Sequence, residues 1–172
     1  LDLPDELDRP KEMGGGARLA MMNIADDKIY STLDYIVGEI CDVFKSSPYF
    51  HIGCDECNFD GVCNAPGARE YMAKHTLPKD DHPLLDAWQV YIMHVIRMKE
   101  LCAKYGKIAV AWEGLASDKR VKNDIVVMTW YNPGFANEME RDGWNVITVP
   151  WGIPPERFTT WNMYDANGHV YQ

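Results

Sequence analysis

Side chains that could bind a metal or take part in catalysis are most concentrated in the stretch FHIGCDECNFDGVC, residues 50–63. Two adjacent acids, Asp55 and Glu56, stand inside a frame of three cysteines. The cysteines are Cys54, Cys57 and Cys63. Cysteines at this spacing can bind a metal ion or exchange disulfides, whereas paired carboxylates can perform general acid–base catalysis or stabilise positive charge. The stretch therefore offers either thiol chemistry or carboxylate chemistry.

The thiol alternative lacks ligands and a suitable electrostatic setting. A structural zinc site takes four soft ligands in closed tetrahedral geometry, and no second cysteine pair follows Cys63. His51 could supply a fourth ligand, but on a strand, three residues before Cys54, it points poorly toward the thiols. Carboxylates between cysteines disfavour the thiolate that redox catalysis needs. The residues favour the acids as the functional pair and leave a cysteine-based metal site as an alternative.

A predicted helix and a predicted strand position the acids. Residues 26–45, DDKIYSTLDYIVGEICDVFK, place apolar side chains three and four apart and offer Asp26 and Asp27 as N-terminal caps. The next apolar run, YFHIG at residues 49–53, is typical of a short strand that ends in glycine. Neighbouring side chains on a regular strand point to opposite faces, so both acids can reach one pocket if the backbone turns, as Gly53 permits.

Helices and short apolar strands alternate along the rest of the chain. Helices are predicted over residues 83–105 and 133–143. Strands are predicted over residues 107–112, 124–130 and 144–151. Alternation with one helix per crossover is typical of a parallel sheet covered by helices.

Chemically capable residues follow several of these strands and favour a barrel over an open sheet. They are Asp55 and Glu56, Trp112 and Glu113, Trp130 and Tyr131, and Trp151. The C-terminal strand ends form the active face of a (β/α)8 barrel, which takes about 250 residues when complete. We therefore predict an incomplete α/β barrel of the (β/α)8 TIM type, with central and later strands only. It would form one domain over residues 1–172, with a weaker strand over 17–24.

Composition limits the class of protein and its partners. The chain has 172 residues, 47% of them hydrophobic, which suits one substantial core. Seventeen basic and 26 acidic residues leave a net charge of −9, which argues against nucleic acid and anionic membranes as partners. Neither a membrane-spanning apolar run nor a signal peptide is expected in these residues. Leu1 is not a start methionine, so a leader upstream stays open.

Tryptophans share the predicted edge with the acids, and this combination suits a sugar. Sugar rings present apolar C–H faces that stack on indole rings. A partly desolvated carboxylic acid has a raised pKa and can protonate a glycosidic oxygen. An isolated Asp-Glu pair is ordinarily a solvated turn, so the neighbouring tryptophans carry the functional interpretation.

The segment YFHIGCDE resembles the His-x-Gly-Gly-Asp-Glu signature of the family twenty glycoside hydrolases, the β-N-acetylhexosaminidases, with Cys54 at the second glycine. The likeness runs from about residue 20 to 165 and includes LDYIVGEICDVF, AVAWEGL, VVMTWYN and GWNVITVPW in the family's order. The resemblance implies a glycosidase that releases terminal N-acetylglucosamine or N-acetylgalactosamine from an oligosaccharide or glycoconjugate. It implies no metal or organic cofactor, and it leaves localisation open because members are often secreted, periplasmic or lysosomal.

The resemblance divides the catalytic work between the two acids. Glu56 would be the general acid/base, and Asp55 would orient the substrate and stabilise its positive charge. The acetamido oxygen of the substrate would replace a protein nucleophile, giving a bound oxazolinium and net retention.

The resemblance also implies a substrate-binding set. Trp112 and Trp130 would wall the pocket around the acetamido methyl group, with Trp151 as a further member, and His51 would be a buried hydrogen-bonding support for the acids. The family's tyrosine after its seventh strand has no counterpart in WGIPPERF, and Tyr164 is the candidate replacement. This departure leaves a non-catalytic amino-sugar-binding relative as an alternative function.

Overall fold

The described part of the chain forms two compact units. The computed structural model describes residues 22–55, 57, 62, 65–75, 85–115, 118–121, 124–130, 133–149, 163–165 and 170–171. The first unit takes its described residues from Leu1–Ile36 and Cys57–His94, and the second takes them from Val37–Glu56 and Val95–Gln172. One domain over residues 1–172 stays a prediction.

The helices of the described residues are α1 (Ile29–Val43), α2 (Ala68–Lys74), α3 (Leu85–Lys104) and α4 (Pro133–Arg141). The predicted helices α1, α3 and α4 are confirmed, with ends that differ by a few residues. None of these helices is long and apolar enough to span a membrane. The helix α2 was not predicted, because its seven residues are too few to show an apolar period.

The two acids that were predicted as caps of α1 make different contacts in the structure. Asp26 Oδ1 accepts a hydrogen bond from the Lys28 N–H at 2.9 Å, as a cap at this end should. The Asp27 carboxylate instead accepts a hydrogen bond from Lys74 Nζ at 2.5 Å, and it lies 3.1 Å from His75 Nε2. Asp27 therefore joins α2 to the start of α1 within the first unit.

The second unit contains a sheet whose described strands run in chain order. They are β1 (Tyr49–His51), β2 (Ile108–Trp112), β3 (Ile125–Thr129), β4 (Asn145–Thr148), β5 (Met163–Asp165) and β6 (Val170–Tyr171). The strands β1 to β4 are parallel, and Tyr49 pairs with Ile108 at their N-terminal ends. The first four strands confirm the predicted parallel order, so their C-terminal ends meet at one edge.

One strand prediction needs correction, and two further strands were not predicted. Residues 22–24 of the strand predicted over 17–24 form a turn, in which Asn23 Oδ1 accepts a hydrogen bond from the Ala25 N–H at 3.2 Å. Residues 17–21 lie outside the described residues. At the other end, the unpredicted strands β5 and β6 are antiparallel to their neighbours. Only residues 166–169 separate these two strands, and a parallel crossover needs a dozen or more residues.

Each unit has its own apolar core among the described residues. The first unit buries Ile24, Ala25, Val62, Ala68, Tyr71, Ala87 and Val90. The second buries apolar side chains of α1, α3 and the strands, including Val37, Val95, Cys102, Ala111, Ile125 and Val127. Burial of this kind is the main stabilising contribution to an α/β fold, and it holds the strand ends in place.

A buried lysine joins the segment after α1 to the start of β2. Only 9% of the Lys107 surface is accessible to solvent. Its ammonium group donates hydrogen bonds to three backbone carbonyl oxygens. The acceptors and distances are Phe44 at 2.8 Å, Lys45 at 3.2 Å and Ser47 at 2.5 Å. These carbonyls lie just after α1, where a helix leaves such groups without internal partners. Lys107 therefore supplies hydrogen-bond donors to the backbone carbonyl groups at the N-terminal end of the β1–β2 pair.

Candidate active site

The chain turns sharply where β1 ends. Gly53 and Cys54 adopt left-handed backbone conformations, with φ angles of 72° and 75°. The turn predicted at Gly53 is confirmed, and it extends over one residue more than the sequence indicated. It ends the strand before Asp55, whose side chain is exposed. Glu56 lies outside the described residues.

Cys54 adopts a conformation that its own side chain disfavours. A positive φ brings Cβ close to the following carbonyl oxygen, at a cost of about 1–2 kcal/mol. Glycine has no Cβ and avoids this cost, which fits the glycine of the resembled signature. The Cys54 thiol lies 3.5 Å from the carbonyl oxygen of Ile52, the distance of a weak S–H hydrogen bond.

His51 is placed differently from the prediction. Its side chain is exposed, not buried, because β1 pairs among the described strands with β2 alone. The ring still has structural contacts: Nδ1 accepts a hydrogen bond from the Gly53 N–H at 3.0 Å, and the ring centroid lies 4.9 Å from that of Trp112. Although the residue is exposed overall, desolvation of its ring lowers the pKa of His51, and the negative charge of Asp55 opposes that shift. His51 thus contacts the turn that precedes the acids.

Trp112 and Glu113 follow one another where β2 ends. Trp112 is half-buried, and its backbone N–H donates to the carbonyl oxygen of Gly53 at 2.9 Å. The Glu113 N–H donates to the carbonyl oxygen of Met128 at 2.9 Å, and both carboxylate oxygens of Glu113 are shielded from solvent. The end of β2 is therefore bonded on one side to the acid-bearing turn and on the other to β3.

The third strand brings another tryptophan to the same edge. Trp130 follows β3 directly and is half-buried. Because β1, β2 and β3 are adjacent and parallel, His51, Trp112 and Trp130 all come to the C-terminal edge of the sheet, with Asp55 two residues past the left-handed Gly53. Trp151, the remaining predicted substrate-binding residue, lies outside the described residues.

The loop after β2 contains a polar pair that the sequence reasoning missed. Asp118 is fully buried, and its carboxylate accepts hydrogen bonds from the Arg120 backbone N–H at 3.0 Å and from Arg120 Nε at 2.8 Å. Leu115 and Val121 are buried on either side of it. The Asp-x-Arg spacing is the local signal that could have indicated this pair. Asp118 and Arg120 therefore bond each other within the described part of the loop.

The thiols do not form a ligand cluster in the described part of the chain. No group of three or more His, Cys, Asp or Glu side chains is placed there to hold a metal ion. Burial raises the pKa of the Cys57 thiol to about 11, which disfavours the thiolate form that binds zinc. Cys63 lies outside the described residues. Burial therefore keeps Cys57 in its neutral thiol form.

A sequence profile for the catalytic domain of glycosyl hydrolase family 20 matches residues 6–153, which is most of the chain. The chain belongs to glycosyl hydrolase family 20. A curated relative is the β-hexosaminidase of Vibrio furnissii, which is 32% identical over 123 residues. That match covers 70% of this chain and 18% of the relative.

Solved structures of family 20 proteins share this fold. The exo-β-N-acetylglucosaminidase of Vibrio harveyi, in complex with N-acetylglucosamine, matches with a TM-score of 0.64 and 26% identity over 76% of this chain and 19% of that protein. The fold of Flavobacterium johnsoniae chitobiase matches with a TM-score of 0.62 at 20% identity, over 76% of this chain and 20% of that one. The chain thus spans about a fifth of the length of these relatives.

Family membership explains the described sheet. Catalytic domains of family 20 are TIM barrels, and this chain contributes a run of parallel strands with helices between them. The predicted incomplete (β/α)8 barrel is confirmed. The acid-bearing turn and the tryptophans stand at the C-terminal strand ends, which is the active face in barrels of this class.

Proposed function

We propose that the protein containing this chain is a β-N-acetylhexosaminidase that removes terminal N-acetylglucosamine or N-acetylgalactosamine from oligosaccharides or glycoconjugates. The proposal includes residues 1–172 as part of one catalytic barrel domain. The observation that supports it best is the left-handed turn at Gly53 and Cys54, which leads to an exposed Asp55 at the edge where Trp112 ends β2. The names of the Vibrio relatives point to the same substrate class.

The two acids would act in sequence on the glycosidic bond. Glu56 protonates the leaving oxygen while the acetamido oxygen of the substrate attacks the anomeric carbon. Asp55 accepts a hydrogen bond from the acetamido N–H and stabilises the positive charge that develops on the oxazolinium. Glu56 then removes a proton from the incoming water, which opens the oxazolinium with net retention.

The aromatic side chains would supply specificity for the acetamido group. Trp112 and Trp130 would enclose its methyl group, and Trp151 would extend the apolar wall. An apolar enclosure favours an N-acetyl substituent over a hydroxyl group, since burying a hydroxyl group without a partner is costly. The acidic net charge of −9 fits a neutral sugar substrate better than a polyanion.

The test compares an aryl N-acetyl-β-glucosaminide with the matching aryl β-glucoside, using the full natural chain that carries these residues. Cleavage of the acetamido substrate alone is expected, because only that substrate contains the attacking oxygen. Cleavage of both at similar rates would contradict acetamido participation. Binding of N-acetylglucosamine with no cleavage of either substrate would favour the non-catalytic sugar-binding alternative.

Substitution of each acid separates their roles. Glu56→Gln is expected to lower kcat by about 100- to 10,000-fold on a substrate with a poor leaving group, and by less on an activated aryl substrate that needs no proton. Asp55→Asn is expected to lower kcat on both substrates, because charge stabilisation is lost in either case. Asp42→Asn, an exposed acid on α1, is the matched control. Wild-type kcat in either acid variant would overturn the assignment.

A further inference from the structure

The turn before the acids needs support from outside its own two residues. Gly53 and Cys54 are both left-handed, and Cys54 contributes an unfavourable Cβ to that conformation. Among the described residues, no atom lies within 4 Å of a Cβ added at Gly53, so these residues do not hold the turn by packing against the glycine. In this part of the chain, hydrogen bonds and ring contacts are the contacts that can stabilise it.

The peptide groups around Gly53 provide that support in the described structure. The Ile52 N–H donates to the carbonyl oxygen of Val110 at 2.8 Å, which extends the ladder between β1 and β2 by one step. The Gly53 carbonyl oxygen accepts from the Trp112 N–H at 2.9 Å. The Gly53 N–H donates to His51 Nδ1 at 3.0 Å. The side chain of His51 thus supplies an acceptor to the turn that β2 does not.

The second contact of His51 links the turn to the aromatic edge. Its ring lies 4.9 Å from the Trp112 ring at an interplanar angle of 57°, a tilted arrangement favourable for aromatic pairs. Because Nδ1 accepts the Gly53 hydrogen bond, the neutral ring carries its proton on Nε2. One side chain therefore contacts both the acid-bearing turn and the tryptophan beside it.

We infer that His51 is a positioning residue, which holds the left-handed Gly53–Cys54 turn through its Nδ1 atom and thereby sets the direction in which the chain carries Asp55 and Glu56 away from β1. For its activity readout this inference rests on the proposed function. A displacement of catalytic groups by about 1 Å can lower a rate by about 100-fold, so small changes in the turn are measurable.

Two substitutions separate the two contacts of His51. His51→Asn keeps an acceptor, because Asn Oδ1 takes the place of Nδ1 and such side chains commonly accept from the N–H two residues on. His51→Phe keeps a ring against Trp112 and removes the acceptor. We expect His51→Phe to lower kcat by about 10- to 100-fold with little change in KM, and His51→Asn to stay within about threefold of wild type.

A second readout does not depend on catalysis. In His51→Phe, amide hydrogen exchange at Gly53 should become about five- to tenfold faster, while Ile52, whose N–H donates to Val110, should keep its rate. In His51→Asn, both rates should resemble wild type. His75→Phe, a histidine at the C-terminal end of α2, is the control for a generic histidine-to-phenylalanine change.

The outcomes distinguish this inference from the proposed function. If Asn fails to rescue Gly53 protection, or if Phe leaves it unchanged, the positioning role is wrong whatever the enzyme does. If the wild-type chain hydrolyses neither aryl substrate but Gly53 protection follows the expected pattern, the proposed function fails and the positioning role stands. Faster exchange of both Gly53 and Ile52 in His51→Phe would show general unfolding of the strand end and would overturn the specific role.

Discussion

The two ends of the β1–β2 pair are built in opposite ways. At the N-terminal end, Lys107 is buried and donates hydrogen bonds to three carbonyl oxygens. The Ile108 N–H there donates to the carbonyl oxygen of Pro48 at 2.8 Å. At the C-terminal end, two consecutive residues are left-handed, and the side chains of His51 and Asp55 are exposed. The same two strands therefore begin in a satisfied polar network and end in a strained turn.

This difference indicates how the barrel divides stability from function. In TIM barrels the N-terminal face serves stability and the C-terminal face carries the chemistry. Backbone strain persists only where surrounding contacts hold it, and it concentrates at functional sites. The Lys107 network lies just before the strand pair whose other end carries the strained turn. Three predictions test whether the two ends differ in this way.

The largest effect is expected at the satisfied end. Lys107→Met should lower the free energy of opening of the β1 and β2 amides by about 3 kcal/mol, because three carbonyl oxygens lose a charged donor. Amide hydrogen exchange of the full natural chain measures this directly.

The matched control for Lys107 is Lys99→Met. Lys99 Nζ lies 2.8 Å from Asp124, whose side chain is 65% exposed, and such pairs contribute about 0–1 kcal/mol. Equal losses for the two lysine variants would show that the three carbonyls at the N-terminal end are not a special source of stability.

A smaller effect of opposite sign is expected at the strained end. Cys54→Gly should stabilise the turn by about 1 kcal/mol, because glycine adopts a φ of 75° without the Cβ penalty. Cys54→Ala keeps the Cβ and removes only the thiol, so its exchange rates near the turn should not slow. If alanine stabilises as much as glycine, the thiol and not the backbone is the source of strain.

The smallest effect is a pH dependence that arises at His51. Its pKa in the folded state is lowered from the usual 6.5 by burial, with the charge of Asp55 opposing the shift. As the pH falls through 6.5, the unfolded chain binds a proton before the folded chain does, so folding stability decreases on acidification. His51→Asn has no titrating group and should lose less stability over the same pH range.

The pH experiment compares amide hydrogen exchange near the turn in wild type and in His51→Asn. Other titrating groups are the same in both proteins, so their contribution drops out of the difference. A gain of stability in wild type relative to the variant on acidification would mean that attraction by Asp55 exceeds the cost of burying the charged ring. The strained end would then be held by an ion pair, and the comparison of the two ends would change.

Much of the fold was predictable because its signals are local. The apolar period of α1, the proline and glycine at the ends of α3 and the short apolar runs of β1 to β4 all act within a few residues, and each element formed close to its predicted range. The position of Asp55 just after β1 followed from the strand prediction. Membership in family 20 then agreed with the resemblance of YFHIGCDE.

The features that the sequence did not predict have two physical causes. Some depend on a partner that is distant in sequence, and others are elements too short to show a repeat. Lysine is ordinarily a surface residue, yet the acceptors of Lys107 lie about sixty residues earlier in the chain. The seven residues of α2 and the hairpin of β5 and β6 contain no diagnostic repeat. His51 was predicted to be buried, but its exposure depends on which strands flank β1.

The sequence by itself determined where most of the helices and strands form, because propensity and periodicity act over a few neighbouring residues. It also determined that two adjacent acids closely follow a short strand and Gly53. Only the tertiary structure decided the left-handed conformation of Cys54, the bond between His51 and Gly53, and the burial of Lys107. The left-handed Cys54 and the buried Lys107 each have an energetic cost that the isolated segment could not sustain. Contacts that fold the chain back on itself, between β1 and β2 and after α1, offset that cost.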